Sequence, residues 1–491
     1  MEPRMHYDDA AWEKSEEIAD AWVLQFLEPE VLRPVGDFVV RHHKPDSPEE
    51  LKVLERGAFN IALRMTYKNS CAVIRFPQPG STMFSEEKVR NEIAIMRYIH
   101  DQTSIPVPFV IHWGTRKESP LELGPFIIME YVNNSTNMYD ALNTPGCPRS
   151  DRGILDPNID EHKLESLYGE LAEVLLQLSR PSFPRIGALR QSDDFTWEVA
   201  YRPLSMPMSE LVQLGSLPRS RLPSPDATYE TASSYYEALA ELHIAHLANQ
   251  RNDAIDSADD CRRKFAARCL FRKLARSRKL TKRWASLDKG PFKLWCDDFR
   301  PGNVLLGDAL KIVGVVDWEF TYGAPVEFPY APPWWLLIEK PENWAGGLED
   351  WSRVFECRLQ TFLKAMVDRE AHAIRQGRLE EHQRLSGPMR HSWESGDFWV
   401  SYAARNNFAF DVIYWQKIDQ RFFGPSPTFE DAWKERVALL DAEEKDCMER
   451  LVSQKQEEMG SRVLMWEPDE YTRSLTLGNR HVEEEVTRDE R

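Results

Sequence analysis

The chain of 491 residues is 42% hydrophobic, 29% charged and 11% aromatic, with a formal net charge of -17, which is ample material for a core and excludes a disordered or collagen-like chain. A single core seldom grows past about 250–300 residues, so two to four domains, or one large two-lobed enzyme, are expected. The acidic balance argues against general affinity for nucleic acid or anionic membranes and is compatible with a cationic substrate. The N-terminus shows no basic region leading into an apolar one, and no run reaches the ~18–20 apolar residues that cross a bilayer. The 7 cysteines are widely spaced without a CxxC pair and read as reduced thiols, so a cytoplasmic chain is expected.

The first fifty residues carry acidic, helix-like segments, after which β-rich runs at 51–54, 61–67 and 71–76 predict three strands with tight turns. From Glu86 to His100, Val89, Ile93, Met96 and Ile99 recur at helical spacing, and this helix must stop before Pro106 and Pro108. The run 125–132 reads as a buried strand ended by polar 133–136, which places a lobe boundary near residue 132. Beyond it helices prevail: Leu164, Leu167, Leu171, Val174, Leu175 and Leu178 form one apolar face, and 235–248 offers another. Strand character returns at 292–295, 304–306 and 312–316, with Gly307-Asp308 as the turn between the last two. Helical patterns resume to about Ser453, and the highly charged end, 482–491, is expected to remain an unpacked tail.

The chemistry concentrates in Leu294-Trp-Cys-Asp-Asp-Phe-Arg-Pro-Gly-Asn-Val-Leu-Leu306, followed by Ile312-Val-Gly-Val-Val-Asp-Trp-Glu319. Phosphoryl transfer from a nucleotide needs a carboxylate near the incoming hydroxyl and oxygen ligands that hold Mg²⁺ against the phosphates. Asp298, Asn303 and Asp317 could supply these, since Pro301-Gly302 would bend the chain so that Asp298 and Asn303 converge and the strand ending at Val316 would deliver Asp317 beside them. Taken alone the loop is equally an ordinary turn, because Asp, Asn, Pro and Gly are the residues turns prefer.

These motifs, joined to an upstream lobe with phosphate-cradling signals, make residues 50–420 or so resemble the aminoglycoside phosphotransferase and choline kinase group of the protein-kinase-like fold. The chain is most similar to a large fungal set of phosphotransferase-family proteins. The resemblance implies an α+β, bilobal fold: a helical extension over 1–50, a small antiparallel-sheet N-lobe over 51–132, a large helical C-lobe over 133–453 with the catalytic loop at 294–319, and a charged tail over 454–491. It also implies Mg²⁺-dependent transfer of the γ-phosphoryl group of ATP or GTP to a hydroxyl of a small molecule, with Asp298 as base and Asn303 and Asp317 as metal ligands. The family's H-G-D reads Cys296-Asp297-Asp298 here, which leaves open how the loop is braced.

In the N-terminal lobe, Leu54-Glu-Arg-Gly-Ala-Phe-Asn60 stands where the fold puts its glycine-rich phosphate loop, with Gly57 alone to carry the motif; a plain hairpin turn is the alternative. Arg75, in Ala72-Val-Ile-Arg-Phe76, occupies the place of the lysine that reaches the α- and β-phosphates, and otherwise is a surface arginine on an edge strand. Glu92 is implied as its partner, with Glu86 and Glu87 as competitors, and Glu130 to Val132 as the segment that pairs with a purine through its backbone, unless it is a plain core strand. Cys296, Arg75 and the thin glycine loop keep a second reading alive, an inactive pseudokinase that binds nucleotide or a protein partner; retention of Asp298, Asn303 and Asp317 speaks against it.

Cations and aromatics interleave over 261–283 with no acid among them, which reads as a structural helix with a solvated face, a nucleic-acid or anionic-partner surface being the alternative. The run Pro332-Pro-Trp-Trp335 could line an acceptor pocket or pack the lobe, and Asp397 and Asp411 could face a cationic substrate. The acceptor's identity and the oligomeric state are left open.

Overall fold

Two helices, α1 (Asp9–Phe26) and α2 (Pro29–His42), begin the computed structural model, which describes residues 5–148, 151–426 and 431–474. Asp8 caps α1 by accepting from the Ala11 amide at 3.0 Å, and Pro29 opens α2 where a missing amide proton costs no helical bond. Next come β1 (Pro48–Arg56), β2 (Asn60–Tyr67), β3 (Cys71–Pro77), α3 (Ser85–Gln102), β4 (Val110–Gly114) and β5 (Phe126–Glu130). The strands form one antiparallel sheet in the order β1-β2-β3-β5-β4. Sequence periodicity missed β4, four of whose five residues are half-buried, so neither face shows a clear apolar alternation.

The period of two along β3 organises this lobe. Ala72, Ile74 and Phe76 pack with Trp22, Phe26, Val35 and Phe38 of the N-terminal helices, while Val73 packs with Val89, Ile93 and Met96 of α3. Arg75 shares the face of Val73, which turns its guanidinium toward α3 and away from the helical cover.

The second lobe opens with β6 (Thr136–Asn137), α4 (Met138–Leu142) and α5 (Glu161–Ser179), then the hairpin β7 (Ala188–Gln191) and β8 (Trp197–Tyr201), then α6 (Met206–Gln213), α7 (Ala232–Asn249) and α8 (Ala258–Arg276). On α5 the buried face holds Leu176 in place of the expected Leu175, and each fully buried leucine there contributes about 1.5–3 kcal/mol. Four short strands follow, β9 (Lys293–Cys296), β10 (Val304–Leu306), β11 (Ile312–Val315) and β12 (Thr321–Ala324); β9 pairs with β12, and β10 lies between β11 and β6. Helices α9 (Gly347–Arg375), α10 (Ser386–Ser395) and α11 (Asp397–Arg405), several shorter ones and a helix over Ala442–Glu458 complete the lobe. The whole is the α+β, two-lobed arrangement anticipated, a small antiparallel sheet beside a larger helical body. No helix among the described residues is long and apolar enough to cross a membrane.

One expectation is corrected, and another falls outside the described residues. The end expected to stay unpacked, 482–491, lies outside the described residues, while the part of the tail before it packs: Trp466 and Tyr471 are buried, Asn252 accepts from the Val463 amide at 3.3 Å, and the Tyr471 hydroxyl donates to the Leu123 carbonyl of the first lobe. Two large aromatics gain enough burial to hold a strongly charged stretch against both lobes; residues 475–491 lie outside the described residues. Asp397 and Asp411, expected to face a cationic substrate, are engaged by arginines of the chain itself. Asp411 is fully buried in a two-pronged pair with Arg268, at 2.6 and 3.1 Å, and Asp397 is held by Arg283 and Arg421.

Arg268 belongs to the basic stretch, several of whose other cations are also matched inside the molecule. Arg262 pairs with Asp259 and Glu449, Lys264 with Asp260, Arg272 and Lys273 with Glu444, and Arg276 with Glu237 and Glu241. With these cations engaged by carboxylates of α8 itself and of other parts of the chain, and with Phe265, Leu270 and Leu274 buried, α8 packs into the larger lobe.

Candidate active site

The turn after β9 brings its polar residues into one place by backbone ties. The Asp297 amide donates to the Phe320 carbonyl at 3.0 Å, and the Val316 amide to the Asn303 carbonyl at 2.9 Å. The first tie fixes the start of the loop against β12; the second sets Asn303 beside the residue that precedes Asp317. Asp317 itself has a left-handed backbone, with φ of 59°, a region aspartate enters more readily than most residues.

Asp298 is buried, 7% exposed. Its Oδ1 accepts from Arg300 Nε at 2.8 Å, and Asn303 Nδ2 donates to its carbonyl at 2.8 Å and to its Oδ2 at 3.2 Å. Burial pushes the carboxyl up to about 6, with Arg300 pulling against it and Asp317 and Glu319 adding to it. A carboxylate poised near neutrality, with a lone pair left on each oxygen, is suited to receive a proton from an incoming hydroxyl.

The bracing question raised by Cys296 and Asp297 has a structural answer. Asp297 accepts from Trp295 Nε1 at 2.7 Å, from the Met206 amide at the start of α6 at 3.2 Å and from the Tyr322 hydroxyl at 3.3 Å, with Arg405 of α11 at 3.7 Å. One carboxylate thus anchors this turn to three elements of the larger lobe. Cys296 is buried and its thiol is pushed up by burial, so it stays neutral beside Thr321, its cross-strand partner on β12.

From the first lobe, Arg75 reaches the same place. It pairs with Glu92 of α3 and donates to Asp317 Oδ1 at 2.6 Å. Burial works against its charge, but Glu92, Asp317 and Glu319 outweigh burial and hold Arg75 above its ordinary value. Of the competitors for Arg75, Glu87 pairs with Arg202 at 2.7 Å and Glu86 accepts from the Arg116 amide at 3.0 Å. Burial raises Glu92, with the contact to Arg75 opposing it, and Asp317 is raised for the same reason against the same cation.

Gly57 and the 130–132 segment stand at the cleft with a different balance from that expected. The Gly57 amide donates to the Asn60 carbonyl at 2.9 Å, closing the hairpin, and a Cβ there would meet only that carbonyl at 3.6 Å. The residue is therefore part of a tight turn that does not demand glycine. The Glu130 amide is committed to the Phe109 carbonyl at 3.0 Å and the Tyr131 amide to the Cys71 carbonyl at 3.2 Å, whereas the Val132 amide has no acceptor among the described residues. The Glu130 side chain is exposed.

Two residues that motif reading left without a role complete the cluster. Lys88 and Glu319 are both about 2% exposed as side chains and pair at 2.8 Å. Lys88 lies one turn before Glu92 on α3, a spacing of four that sets both on one face, and Glu319 ends the Asp-Trp-Glu string; those two signals were available in the sequence.

Residues 50–352 match the model of the phosphotransferase enzyme family (APH). The chain belongs to this family. No curated protein matches this phosphotransferase. Among solved structures it is similar to the aminoglycoside phosphotransferase APH(4)-Ia, at 15% identity over 78% of this chain and 99% of that one with a TM-score of 0.40. It is also similar to a thermostable mutant of that protein in ternary complex with AMP-PNP and hygromycin B, at 15% identity over 77% and 98% with a TM-score of 0.38. The GDP complex of aminoglycoside 2'-phosphotransferase-IIIa aligns at 14% identity over 83% and 98% with a TM-score of 0.39. The matched region of the phosphotransferase contains every residue of the cluster from Gly57 to Glu319.

Proposed function

We propose that this phosphotransferase moves the γ-phosphoryl group of ATP, or of GTP, to a hydroxyl of a small molecule with Mg²⁺ as cofactor. The observation that carries the reading is the buried Asp298 carboxyl, held by Arg300 and Asn303 beside the Arg75–Asp317 pair, within the region matched to the family. In the reaction the acceptor hydroxyl gives its proton to Asp298 as its oxygen bonds to the γ-phosphorus. The bond from that phosphorus to the bridging oxygen breaks and its electron pair leaves with the nucleoside diphosphate. Arg75 offers positive charge to the phosphates from the roof of the cleft, and the free Val132 amide is the donor for a purine edge. Of the hairpin amides, those of Ala58 and Phe59 are the ones without partners among the described residues, so they, more than Gly57, are placed to meet a phosphate.

The donor set fits Mg²⁺. Asn303 uses its Nδ2 on Asp298 and keeps Oδ1 available, and Asp317 engages Arg75 through Oδ1 and keeps Oδ2. One amide oxygen and one carboxylate are hard ligands of the kind that hold Mg²⁺ together with phosphate oxygens and water. When bound, the ion supplies charge neutralisation at the phosphates.

The test is nucleotide binding followed by turnover. Thermal shift with ATP and GTP, each with and without Mg²⁺, should show metal-dependent stabilisation, and a screen of hydroxyl acceptors should give turnover that Asp298→Asn abolishes. No metal-dependent binding in the wild type removes the enzyme reading; binding with no turnover across a broad acceptor screen favours the nucleotide-binding pseudokinase.

A further inference from the structure

Lys88, Asn60 and Glu319 close a ring of polar contacts across the two lobes. Lys88 Nζ lies 2.8 Å from Glu319 Oε2 and donates to Asn60 Oδ1 at 3.0 Å, and Asn60 Nδ2 donates to the same Glu319 oxygen at 3.0 Å. Each member comes from a different part of the fold: Asn60 from the end of the hairpin turn, Lys88 from α3, and Glu319 from the segment just past Asp317. Phe59 and Phe320 meet edge to face at 5.7 Å over this ring, their centroids 5.3 and 6.0 Å from Lys88 Nζ.

The charge balance explains what such a ring is for. Arg75 and Lys88 stand against three carboxylates, the buried Glu92 and Glu319 and the part-exposed Asp317. Arg75 already serves Glu92 and Asp317 directly and feels Glu319 as well. Without Lys88, Glu319 would be a third full claim on the one guanidinium, and a phosphate would have to compete with all three. With Lys88 and Asn60 on it, Glu319 is satisfied elsewhere.

We propose that Lys88 and Asn60 form an interlobe clasp on Glu319 that holds the hairpin turn down over the cleft and keeps Arg75 available to nucleotide phosphates. Lys88 is a positioning residue here, acting through Glu319 and Arg75. The proposal rests on the phosphotransferase reading, because the group that Arg75 is kept free for is a nucleoside di- or triphosphate.

The experiment measures ADP affinity by calorimetry at one saturating Mg²⁺ concentration, so that any metal requirement is met equally, for wild type, Lys88→Met, Asn60→Ala and the double variant Lys88→Met/Glu319→Gln. Lys88→Met should weaken ADP at least tenfold and Asn60→Ala about three- to tenfold, with faster amide exchange over 54–60. The double variant should return ADP affinity to within about threefold of wild type, because it removes the stray carboxylate along with the lysine. A lysine that merely fills space predicts the opposite, a double variant as weak as the single one or weaker. Should Lys88→Met fail to fold, Asn60→Ala, a half-buried residue, and the charge-balanced double variant still decide. Wild-type ADP affinity in Asn60→Ala and Lys88→Met, or no recovery in the double variant, overturns the clasp while leaving the phosphotransferase reading standing. Wild-type protein that binds neither ADP nor ATP, with or without Mg²⁺, overturns that reading and the clasp with it.

Discussion

Replacing Asp298 with asparagine should slow the enzyme and stabilise the protein at once. The exchange is nearly isosteric, and the amide oxygen still accepts from Arg300 while the weaker 3.2 Å bond from Asn303 Nδ2 is lost, so nucleotide affinity should change less than threefold. What it removes is the proton acceptor, for which general bases are worth about 10²- to 10⁴-fold in rate. The stability side follows from the carboxyl's position at about 6 when folded against 3.8 when unfolded. At 1.36 kcal/mol per pH unit that gap is about 3 kcal/mol. Because the folded value is raised, the folded state holds its proton more tightly; the associated stability is fully present below pH 3.8 and is lost as pH rises through 6. Above that pH the wild type therefore carries a cost of about 3 kcal/mol that Asp298→Asn lacks. Urea unfolding in metal-free buffer at pH 4, 5, 6, 7 and 8 measures it, with the advantage of the variant growing over that window. A variant no more stable than wild type at pH 8, or a difference that does not change with pH, would refute the reasoning that Asp298 is strained by burial.

Three further outcomes are expected. Val132→Pro removes the one uncommitted amide of the 130–132 segment and should weaken ATP about tenfold, the loss of one hydrogen bond, with little change in melting temperature; unchanged affinity would place the purine elsewhere. Gly57→Ala should bind ATP within about twofold of wild type, since the new Cβ meets only the Asn60 carbonyl at 3.6 Å, and a large loss would show that the backbone must approach the phosphates there. Glu327 is buried with no hydrogen bond to either carboxyl oxygen among the described residues, and burial pushes it up to about 8 from 4.5. Stability should fall by about 5 kcal/mol between pH 4.5 and 8 on its account, and Glu327→Gln should flatten that part of the pH profile in denaturant titrations.

Much of the candidate site was legible because its signals are local. The five-residue interval from Asp298 to Asn303 with Pro301-Gly302 between them, and an apolar strand ending in Asp317, are patterns that short-range geometry imposes. The helix 85–102 and the strands around 61–67 and 71–76 were legible for the same reason, their apolar periods being strong. Less legible were β4, whose half-buried residues blur the alternation, and the packing of Trp466 and Tyr471, because nothing in a charged stretch announces a partner two lobes away. The basic stretch on α8 could be described by its charges alone, but whether those charges meet solvent or carboxylates depends on helices more than a hundred residues distant, as Arg268 and Asp411 show.

The sequence by itself determined the lobes, the order of the motifs and the kind of chemistry they support, since each depends on residues within a few positions of one another. Only the tertiary structure decided who answers whom. It chose Glu92 over Glu86 and Glu87 for Arg75, assigned the bracing of the catalytic turn to Asp297, and joined Lys88 to Glu319. Those pairings span from 17 to more than 200 residues of chain, and they are selected by burial: in a space that excludes water each charge must find its opposite, and folding alone brings the candidates within reach.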